Sequence, residues 1–467
     1  MGKLALLLAL LLLCAPDAKG EGILGEERVV AAGGIGEIAM LFDGEEQTPQ
    51  HIEDGAWLWL DCAPECTSMY LIFHRPYGAL TLADRETHKE ITVDTQGMLH
   101  FFLDLEECFG YSPQAVTISF SDGEGELNEV YLFPPGEIPD WVQRWQQNPG
   151  EADLLLLSAH GDDEQLFFAG LLPYYAGERG YRVQVVYFTD HRNLTSHRVH
   201  EMLDGLWAVG VRDYPVFGPF DDYYTFDLED AYRYYEDCGF SRQDLLSFVT
   251  EQLRRYRPLV AVGHDVNGEY GHGMHQLTAD LLTKAITASA DPESFPETAE
   301  EYGPWQVPKT YLHLYGENEI VMDWDVPLTS FGGMTAYEVS RDRGFPCHKS
   351  QVADFAWYYR GADRAVDVGK YSPCRYGLYN TTVGEDIGAG DFFQHLEDYR
   401  QPPQEAPPPP ETEPPQPETV PEQTQPVERP KPAEGDWERN WLLLPALGTA
   451  VLTLLTVTIS VPASKRK

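Results

Sequence analysis

The chain has 467 residues, of which 43% are hydrophobic and 12% aromatic, so it contains enough apolar material for one or two cores. It carries 33 basic and 75 acidic residues, a formal charge of −42 near neutral pH. This excess of acid argues against a nucleic-acid or anionic-lipid surface, because such binding needs Lys and Arg to neutralise phosphates.

Both ends of the chain have the character of membrane-targeting segments. Residues 1–20 join a basic start to an apolar run and small residues at 18–20, which predicts a secretory signal peptide. Residues 441–463 are mostly apolar and uncharged, and the basic tail 464–467 follows them. This arrangement predicts one membrane-spanning helix, with the tail in the cytoplasm and the body outside, on a bacterial envelope.

A Pro/Glu-rich linker precedes the apolar segment. In residues 401–436, 13 of 36 positions are Pro and seven are Glu, so this segment cannot bury a core and is expected to stay extended as a stalk. Six cysteines remain once the signal peptide is removed. An even number permits disulfides in an exported chain, but the sequence leaves their pairing open.

Short alternating segments fill residues 21–148. We predict strands over residues 56–60, 69–73, 99–105 and 115–120, which would pack as an antiparallel, all-β sandwich. Trp57 and Trp59 share one strand face. That face is predicted to build the core, and the alternative is a sugar-binding platform.

Strands and helices alternate in residues 149–400. The predicted strands are 153–158, 182–189, 214–217, 259–263 and 310–314, and the predicted helices are 165–176, 196–209, 243–256 and 274–288. This order predicts an α/β, Rossmann-like parallel sheet flanked by helices. Ligands of such sheets bind beyond the carboxyl ends of the strands.

Two polar clusters follow predicted strands at such positions. His160 and Asp163 come directly after one strand, and His275 opens a helix soon after another. Two imidazoles and one carboxylate leave open coordination positions for a catalytic divalent metal. Each cluster alone is more often ordinary hydrogen-bonded structure than a metal site, and their joint placement is what favours a metal site.

These clusters resemble signatures of the PIG-L/LmbE-like zinc-dependent N-deacetylases. That family's A-H-P-D-D-E pattern is matched by Ala159-His160-Gly161-Asp162-Asp163-Glu164, and its G-x-Y-G-H-x-D-H pattern by residues 268–275. Its R-x-x-E and H-x-S-Q patterns match residues 198–201 and 348–351. The resemblance covers roughly residues 150–355, and it implies removal of acetyl groups from N-acetylglucosamine-type sugars or glycans.

The resemblance also implies a role for each matched residue. His160, Asp163 and His275 would hold the metal, expected to be Zn²⁺, with Fe²⁺ or Co²⁺ as possible substitutes. Asp162 would act as the general base toward the attacking water, and His272 would stabilise the oxyanion.

Further residues are candidates for contact with the substrate. Arg198 is one, with pairing to Glu201 as its other expected role. The loop residues Asp221, Asp222 and Tyr223 are the others, because sugars bind through aromatic faces and carboxylates.

Two positions depart from the family pattern. Gly161 stands where the family has Pro, which would loosen the turn, and Met274 stands where it has Asp, which would remove a group that orients an imidazole. Two alternatives to an amino-sugar deacetylase remain open. One is a catalytically weak or inactive glycan-binding surface protein, in which these two residues mark a degenerate site. The other is a metal amidohydrolase acting on peptide amides.

Overall fold

The computed structural model describes residues 23–62, 66–190, 196–351, 362–386, 390–396 and 399. The expected signal peptide, linker, membrane-spanning segment and basic tail (1–20, 401–436, 441–463 and 464–467) lie outside the described residues. Among the residues that are described, no helix has both the length and the apolar character that crossing a bilayer requires.

The N-terminal part is an antiparallel β structure. Its strands are β1 (Val29–Ile35), β2 (Gln50–Asp61), β3 (Ser68–Phe73), β4 (Ala79–Asp84), β5 (Glu90–Asp94), β6 (His100–Asp104), β7 (Ala115–Phe120) and β8 (Gly125–Phe133), with a short helix α1 (Leu105–Phe109). They follow the order β5-β4-β7-β2-β8-β3-β6, and β1 also pairs with β2. Strand β2 pairs with β8 near its start and with β7 near its end, so the strands wrap around a shared apolar core.

The prediction that Trp57 and Trp59 build this core is wrong. Leu58 and Leu60, on the opposite face of β2, are fully buried, whereas Trp59 is half-buried and Trp57 is 36% exposed. The alternation along β2 has the expected period of two, but the interior is filled by the aliphatic face. Gly33 of β1 lies against the indole of Trp57, where a Cβ would come within 2.8 Å of Nε1.

The second sheet has the mixed α/β organisation that the alternating pattern predicted. Its strands are β9 (Leu154–Ser158), β10 (Val183–Thr189), β11 (Val216–Phe220), β12 (Val260–Gly263), β13 (Lys309–His313), β14 (Glu319–Val321) and β15 (Arg375–Thr381). Their order is β11-β10-β9-β12-β13-β15-β14. The first five strands in this order (β11, β10, β9, β12 and β13) are parallel to one another. Strand β15 runs antiparallel to β13 and β14. The sequence analysis did not predict this antiparallel edge.

The helices of this part are α2 (Asp163–Leu166), α3 (Ser196–Ala208), α4 (Leu228–Asp237), α5 (Arg242–Tyr256), α6 (Gly273–Ala290), α7 (Pro296–Tyr302) and α8 (Ala336–Val339). The predicted helix 165–176 is wrong, because α2 ends at Leu166 and a π-helical turn covers Pro173–Glu178. Gly170 interrupts the helix at a φ of +94°, a backbone conformation that residues with a side chain rarely adopt. It packs against Trp324.

The order of the central strands brings the two polar clusters together. Strands β9 and β12 are neighbours in parallel register, with Leu154 opposite Val260 and Leu156 opposite Val262. Their carboxyl ends therefore meet at one edge of the sheet. The residues that follow β9 and those that follow β12 are placed side by side there.

Helix α3 packs against the N-terminal β structure. His200 Nδ1 lies 2.8 Å from His100 Nε2 on β6, and Asp204 accepts a 2.6 Å hydrogen bond from Gln143. Trp207 donates its indole N–H to the backbone carbonyl oxygen of Asp140, which follows β8. These residues recur at helical spacing, so one face of α3 is used for this contact.

The buried histidine pair predicts a measurable pH dependence of stability. Burial lowers the pKa of His200 to about 3 and that of His100 well below its ordinary value. On unfolding each pKa returns to about 6.5, so the unfolded chain binds more protons below that pH. The free energy of unfolding should therefore fall as pH drops below about 6.5, by about 1.4 kcal/mol per pH unit for each histidine.

The variant His200→Asn keeps a hydrogen-bonding atom near the position of Nδ1. It should reduce that slope by about 1.4 kcal/mol per pH unit between about pH 6 and 4.5. Denaturant unfolding at several pH values measures both slopes. Equal slopes in the variant and the parent protein would show that His200 is not a buried neutral group.

Candidate metal centre

Three side-chain atoms converge at the carboxyl ends of β9 and β12. His160 Nδ1 lies 3.0 Å from Asp163 Oδ2, His275 Nε2 lies 3.2 Å from His160 Nδ1, and His275 Nε2 lies 3.3 Å from Asp163 Oδ2. All three residues are buried. The structure thus brings together the three residues that the sequence analysis named as metal ligands.

The spacing of these atoms fits a small divalent cation. Donors that lie 2.0–2.2 Å from a tetrahedral zinc ion are roughly 3.3–3.6 Å from one another, close to the separations found here. The electrostatic field also fits a cation. Burial alone would lower the pKa of His275, but Asp163 and Glu269 raise it to about 9, and Asp222 and Asp163 raise that of His160 well above its ordinary value. A field that stabilises a proton on an imidazole also favours a metal ion.

The local backbone explains how His275 reaches this point. It lies in the first turn of α6, whose preceding residue His272 has extended dihedral angles. Gly268 makes the preceding turn at a φ of +68°, and a Cβ there would come within 2.4 Å of the carbonyl oxygen of His272. Glycine is therefore required at residue 268, since any side chain would displace His272 and the start of α6.

Glu269 was not selected by the sequence analysis, although it lies inside the second motif. Its carboxylate is completely buried and faces three imidazoles. Oε2 lies 2.9 Å from His264 Nδ1 and 2.8 Å from His275 Nδ1, and Oε1 lies 2.6 Å from His313 Nδ1. Burial would raise the pKa of Glu269, but these imidazoles hold it well below its ordinary value. The sequence feature that could have identified Glu269 is its place in the chain between two histidines at strand ends, His264 and His313.

His264 also lies near the cluster, with Nε2 3.5 Å from Asp163 Oδ2. Asp163, His264 and His275 form one group of donors that could hold a metal, and His160, His272 and His275 form another. However, Nε2 of His264 accepts a 2.9 Å hydrogen bond from the backbone N–H of Ala159. That lone pair is already used, so His264 fits better as a support for the turn after β9 than as a ligand.

Asp222 contacts the second ring nitrogen of His160. Its Oδ1 lies 3.0 Å from His160 Nε2, whereas His160 Nδ1 faces Asp163 and His275. Of the residues predicted in this loop, Asp222 is therefore placed at the cluster. Asp221 lies on the exposed part of the loop, and its carbonyl oxygen accepts a hydrogen bond from Tyr235.

Asp162 is buried beside the cluster and faces an arginine. Burial raises its pKa to about 7, although Arg198, with Nη2 3.6 Å from Asp162 Oδ2, acts in the opposite direction. Arg198 also donates a 2.9 Å hydrogen bond to the carbonyl oxygen of Gly161. The expected pairing of Arg198 with Glu201 is not what the structure shows, because Glu201 instead accepts two hydrogen bonds from Ser350.

His272 and two exposed aromatic residues line the outer side of the cluster. The His272 ring lies 4.9 Å from that of His160, and its buried Nδ1 has no hydrogen-bond partner within the described residues. Burial, together with the neighbouring imidazoles, lowers its pKa to about 3, so it is neutral. Tyr224 lies 5.2 Å from His272 and contacts Phe226, and both aromatic side chains are exposed. The predicted Tyr223 instead stacks on Tyr234 at 4.2 Å.

Both residues that depart from the family pattern, Gly161 and Met274, are closely packed against neighbouring side chains. A Cβ at Gly161 would come within 2.3 Å of Met202, whose side chain occupies the space above the turn. Met274 is completely buried, and its sulfur lies 3.6 Å from Oη of Tyr235.

Residues 348–351, which match the H-x-S-Q pattern, support the turn that follows β9. His348 Nε2 lies 2.9 Å from Oε1 of Glu164, the residue that follows Asp163. Together with the hydrogen bonds between Ser350 and Glu201, this contact attaches residues 348–350 to both α2 and α3. These residues therefore serve the architecture of the turn that carries His160 and Asp163.

The fold and the site define a parallel α/β domain with a buried His–Asp–His cluster. The model of the GlcNAc-PI de-N-acetylase (PIG-L) family matches residues 155–286. The chain therefore contains a PIG-L domain in this region.

Curated relatives match the same part of the chain. One is 1D-myo-inositol 2-acetamido-2-deoxy-alpha-D-glucopyranoside deacetylase 1 of Frankia alni, 28% identical over 176 residues, which are 33% of this chain and 60% of that protein. Deacetylase 2 of the same description from Saccharopolyspora erythraea is 31% identical over 179 residues, 34% of this chain and 63% of that protein. The chain thus spans about 60% of the length of these relatives.

Among solved structures, N,N'-diacetylchitobiose deacetylase from Pyrococcus horikoshii is 17% identical, with a TM-score of 0.33. The match covers 50% of this chain and 85% of that chain.

The contact between Gly161 and Met202 predicts strong coupling between these positions. Gly161→Ala alone should destabilise the protein by about 1–3 kcal/mol, because the new methyl group displaces Met202. Met202→Ala alone should also destabilise it, because it leaves a cavity. In the double variant the new methyl group enters the vacated space, so the combined loss should be smaller than the sum by about 1–2 kcal/mol. Thermal or denaturant unfolding of the four proteins measures this coupling, and simple additivity would refute the contact.

Proposed function

We propose that this protein is a metal-dependent N-deacetylase that hydrolyses the acetamide of an N-acetylglucosamine-type sugar or glycan. The observation that carries the proposal is the convergence of His160, Asp163 and His275 on one point at the carboxyl edge of the sheet, with Asp162 buried beside them. The matched relatives are deacetylases of an acetamido-glucoside. Their names support this substrate class for the present chain.

His160, Asp163 and His275 would hold the metal, for which we propose Zn²⁺. A divalent cation bound there would polarise the acetamide carbonyl and lower the pKa of a nearby water. The overall reaction adds water across the C–N bond, so acetate and a free amine are the products.

Asp162 acts first as the general base and then as the general acid in this reaction. Its carboxylate takes a proton from the attacking water and returns it to the departing amine nitrogen, which must be protonated before the C–N bond breaks. The contact with Arg198 fixes the direction of the carboxylate without neutralising it completely, since the Nη2–Oδ2 distance is 3.6 Å. A pKa near 7 suits a group that both accepts and donates a proton.

His272 faces the place where negative charge develops on the acetamide oxygen. As a neutral imidazole it carries one N–H, which can be donated to that oxygen. Tyr224 and Phe226 lie on the solvent side of His272, and their rings offer apolar faces for a sugar, while Asp222 offers carboxylate oxygens for its hydroxyl groups.

We further propose that the domain acts outside the cell. The support is sequence pattern alone, namely the predicted signal peptide at 1–20 and the apolar segment at 441–463 with its basic tail. A Pro/Glu-rich stalk at 401–436 would then hold the enzyme away from the membrane, where surface glycans are within reach.

Replacement of Asp162 tests the proposed chemistry. Asp162→Asn should lower acetate release from N-acetylglucosamine oligomers by on the order of 10²–10⁴-fold, because an amide cannot accept the proton of the water. Metal content should remain near one ion per chain, since Asp162 is not one of the three donors. Acetate release and metal content are measured on the full-length chain, with and without a chelator.

Each contrary outcome selects an alternative function. If the unmodified protein binds glycans but releases no acetate with added zinc, iron or cobalt, it is a non-catalytic glycan-binding protein. If it hydrolyses only peptide amides, it is a different class of amidohydrolase. Full activity in the presence of a strong chelator would exclude the metal-dependent mechanism.

The neighbouring tyrosines of the loop provide a matched test of substrate binding. Tyr224→Ala should raise KM for the sugar by about tenfold, the loss of roughly 1–1.5 kcal/mol of aromatic contact, with little effect on unfolding. Tyr223→Ala should instead lower the unfolding temperature, because Tyr223 stacks on Tyr234 of α4. The reverse pattern would mean that Tyr223 is the residue that binds the substrate.

A further inference from the structure

Glu269 is a buried carboxylate on the far side of His275 from the three clustered donor atoms. It lies in a short turn before α6, completely buried, with imidazole nitrogens of His264, His275 and His313 all within 2.6–2.9 Å of its two oxygens. Asp265 also directs its backbone N–H toward Oε1, at 3.3 Å. Three imidazole nitrogens and one backbone N–H thus surround one carboxylate, and Nδ1 of His275 is in close ion-pair contact with it without hydrogen-bond alignment.

We propose that Glu269 is a positioning residue for the ligand His275. The proposal rests on the proposed function only in treating His275 as a metal ligand. It assigns Glu269 no contact with substrate. Its effect is exerted through the imidazole ring that it contacts.

The acceptor character of the carboxylate is the basis of this role. A histidine that binds a metal through Nε2 must keep its remaining hydrogen on Nδ1. Glu269 has no hydrogen to donate, so it favours the form of His275 with hydrogen on Nδ1 and a lone pair on Nε2. Nε2 of His275 is the atom that lies 3.2–3.3 Å from His160 Nδ1 and Asp163 Oδ2.

The surrounding histidines keep Glu269 in place. His264 is anchored by the N–H of Ala159, and His313 Nε2 lies 2.9 Å from the carbonyl oxygen of Ser372. Both ring nitrogens of His313 therefore face oxygen atoms, and these two contacts hold the ring, and with it Glu269, in place.

Met274 cannot serve the same purpose. Its side chain has no strong acceptor and is buried in an apolar cluster against Tyr235. Of these two residues, Glu269 is therefore the one that places a carboxylate against the imidazole of His275.

The decisive variant is Glu269→Gln, which preserves size but replaces one acceptor oxygen with an NH₂ donor. That amide cannot accept hydrogen bonds from all of the surrounding N–H groups, and where its NH₂ faces His275 it favours hydrogen on Nε2, the form that cannot bind metal. Zinc affinity of the full-length chain, measured by competition with a chromophoric chelator, should fall about 10–100-fold. Glu269→Asp, which retains a carboxylate, should recover part of this loss.

Asp213→Asn is the matched control for the loss of a buried carboxylate. Asp213 is also buried, but its partners within the described residues are Asn148 and Arg182 and not imidazoles. It should lower the unfolding temperature while leaving zinc affinity within about twofold of the parent protein. Equal zinc affinity in Glu269→Gln and the parent would overturn the proposal, as would an equal loss in both variants.

A second measurement does not depend on whether the variant folds. In the zinc-loaded parent protein, the Nδ1–H proton of His275 should give a downfield, slowly exchanging NMR signal, because it is buried against a carboxylate. Rapid exchange with solvent would overturn the role of Glu269. A chain that binds zinc with this signature but releases no acetate would refute the proposed deacetylase activity and leave the role of Glu269 intact.

Discussion

The structure of the site depends on one constraint, which is that a carboxylate and two imidazoles must share a buried point at the edge of a sheet. Asp163, His160 and His275 are all removed from solvent. Burial of an ionised group is costly unless charged or hydrogen-bonding partners compensate for it. The turn after β9 and the first turn of α6 supply these partners within 3.3 Å of one another. A divalent cation is the partner whose charge best fits the arrangement.

This requirement extends outward to the groups that support the ligands. His160 has Asp222 behind it, and His275 has Glu269. In each case the nitrogen that faces the cluster is opposite to the nitrogen that faces a carboxylate. Metal sites in proteins commonly use this arrangement, because the outer carboxylate fixes the tautomer and the direction of the ring.

The sequence was sufficient to predict the parts of the fold that follow from a regular pattern. The continuous apolar run at 154–157 predicted a strand buried on both faces, and β9 is that strand. The three donors could be predicted because two parallel strands end at the same edge. The helix expected at 165–176 failed because tertiary packing of Gly170 against Trp324 overrides local helix preference.

Other features depend on three-dimensional neighbours that no local pattern specifies. Trp57 lies on the exposed face of β2 because the opposite face of this strand, which carries Leu58 and Leu60, packs into the core. The sequence also did not reveal that the space above Gly161 is filled by Met202, forty-one positions later in the chain. Glu269 lay within a quoted motif, but its importance is evident only once His264, His275 and His313 surround it.

Helix α3 joins the edge of the sheet that carries the His–Asp–His cluster to the N-terminal β structure. One side of its first turns directs Arg198 toward Asp162, while His200, Asp204 and Trp207 contact residues of the β part. A displacement of α3 would therefore change the Arg198–Asp162 distance. The β structure can thus influence the proposed proton transfer through this helix, even though its own residues do not reach the cluster in the described part of the chain.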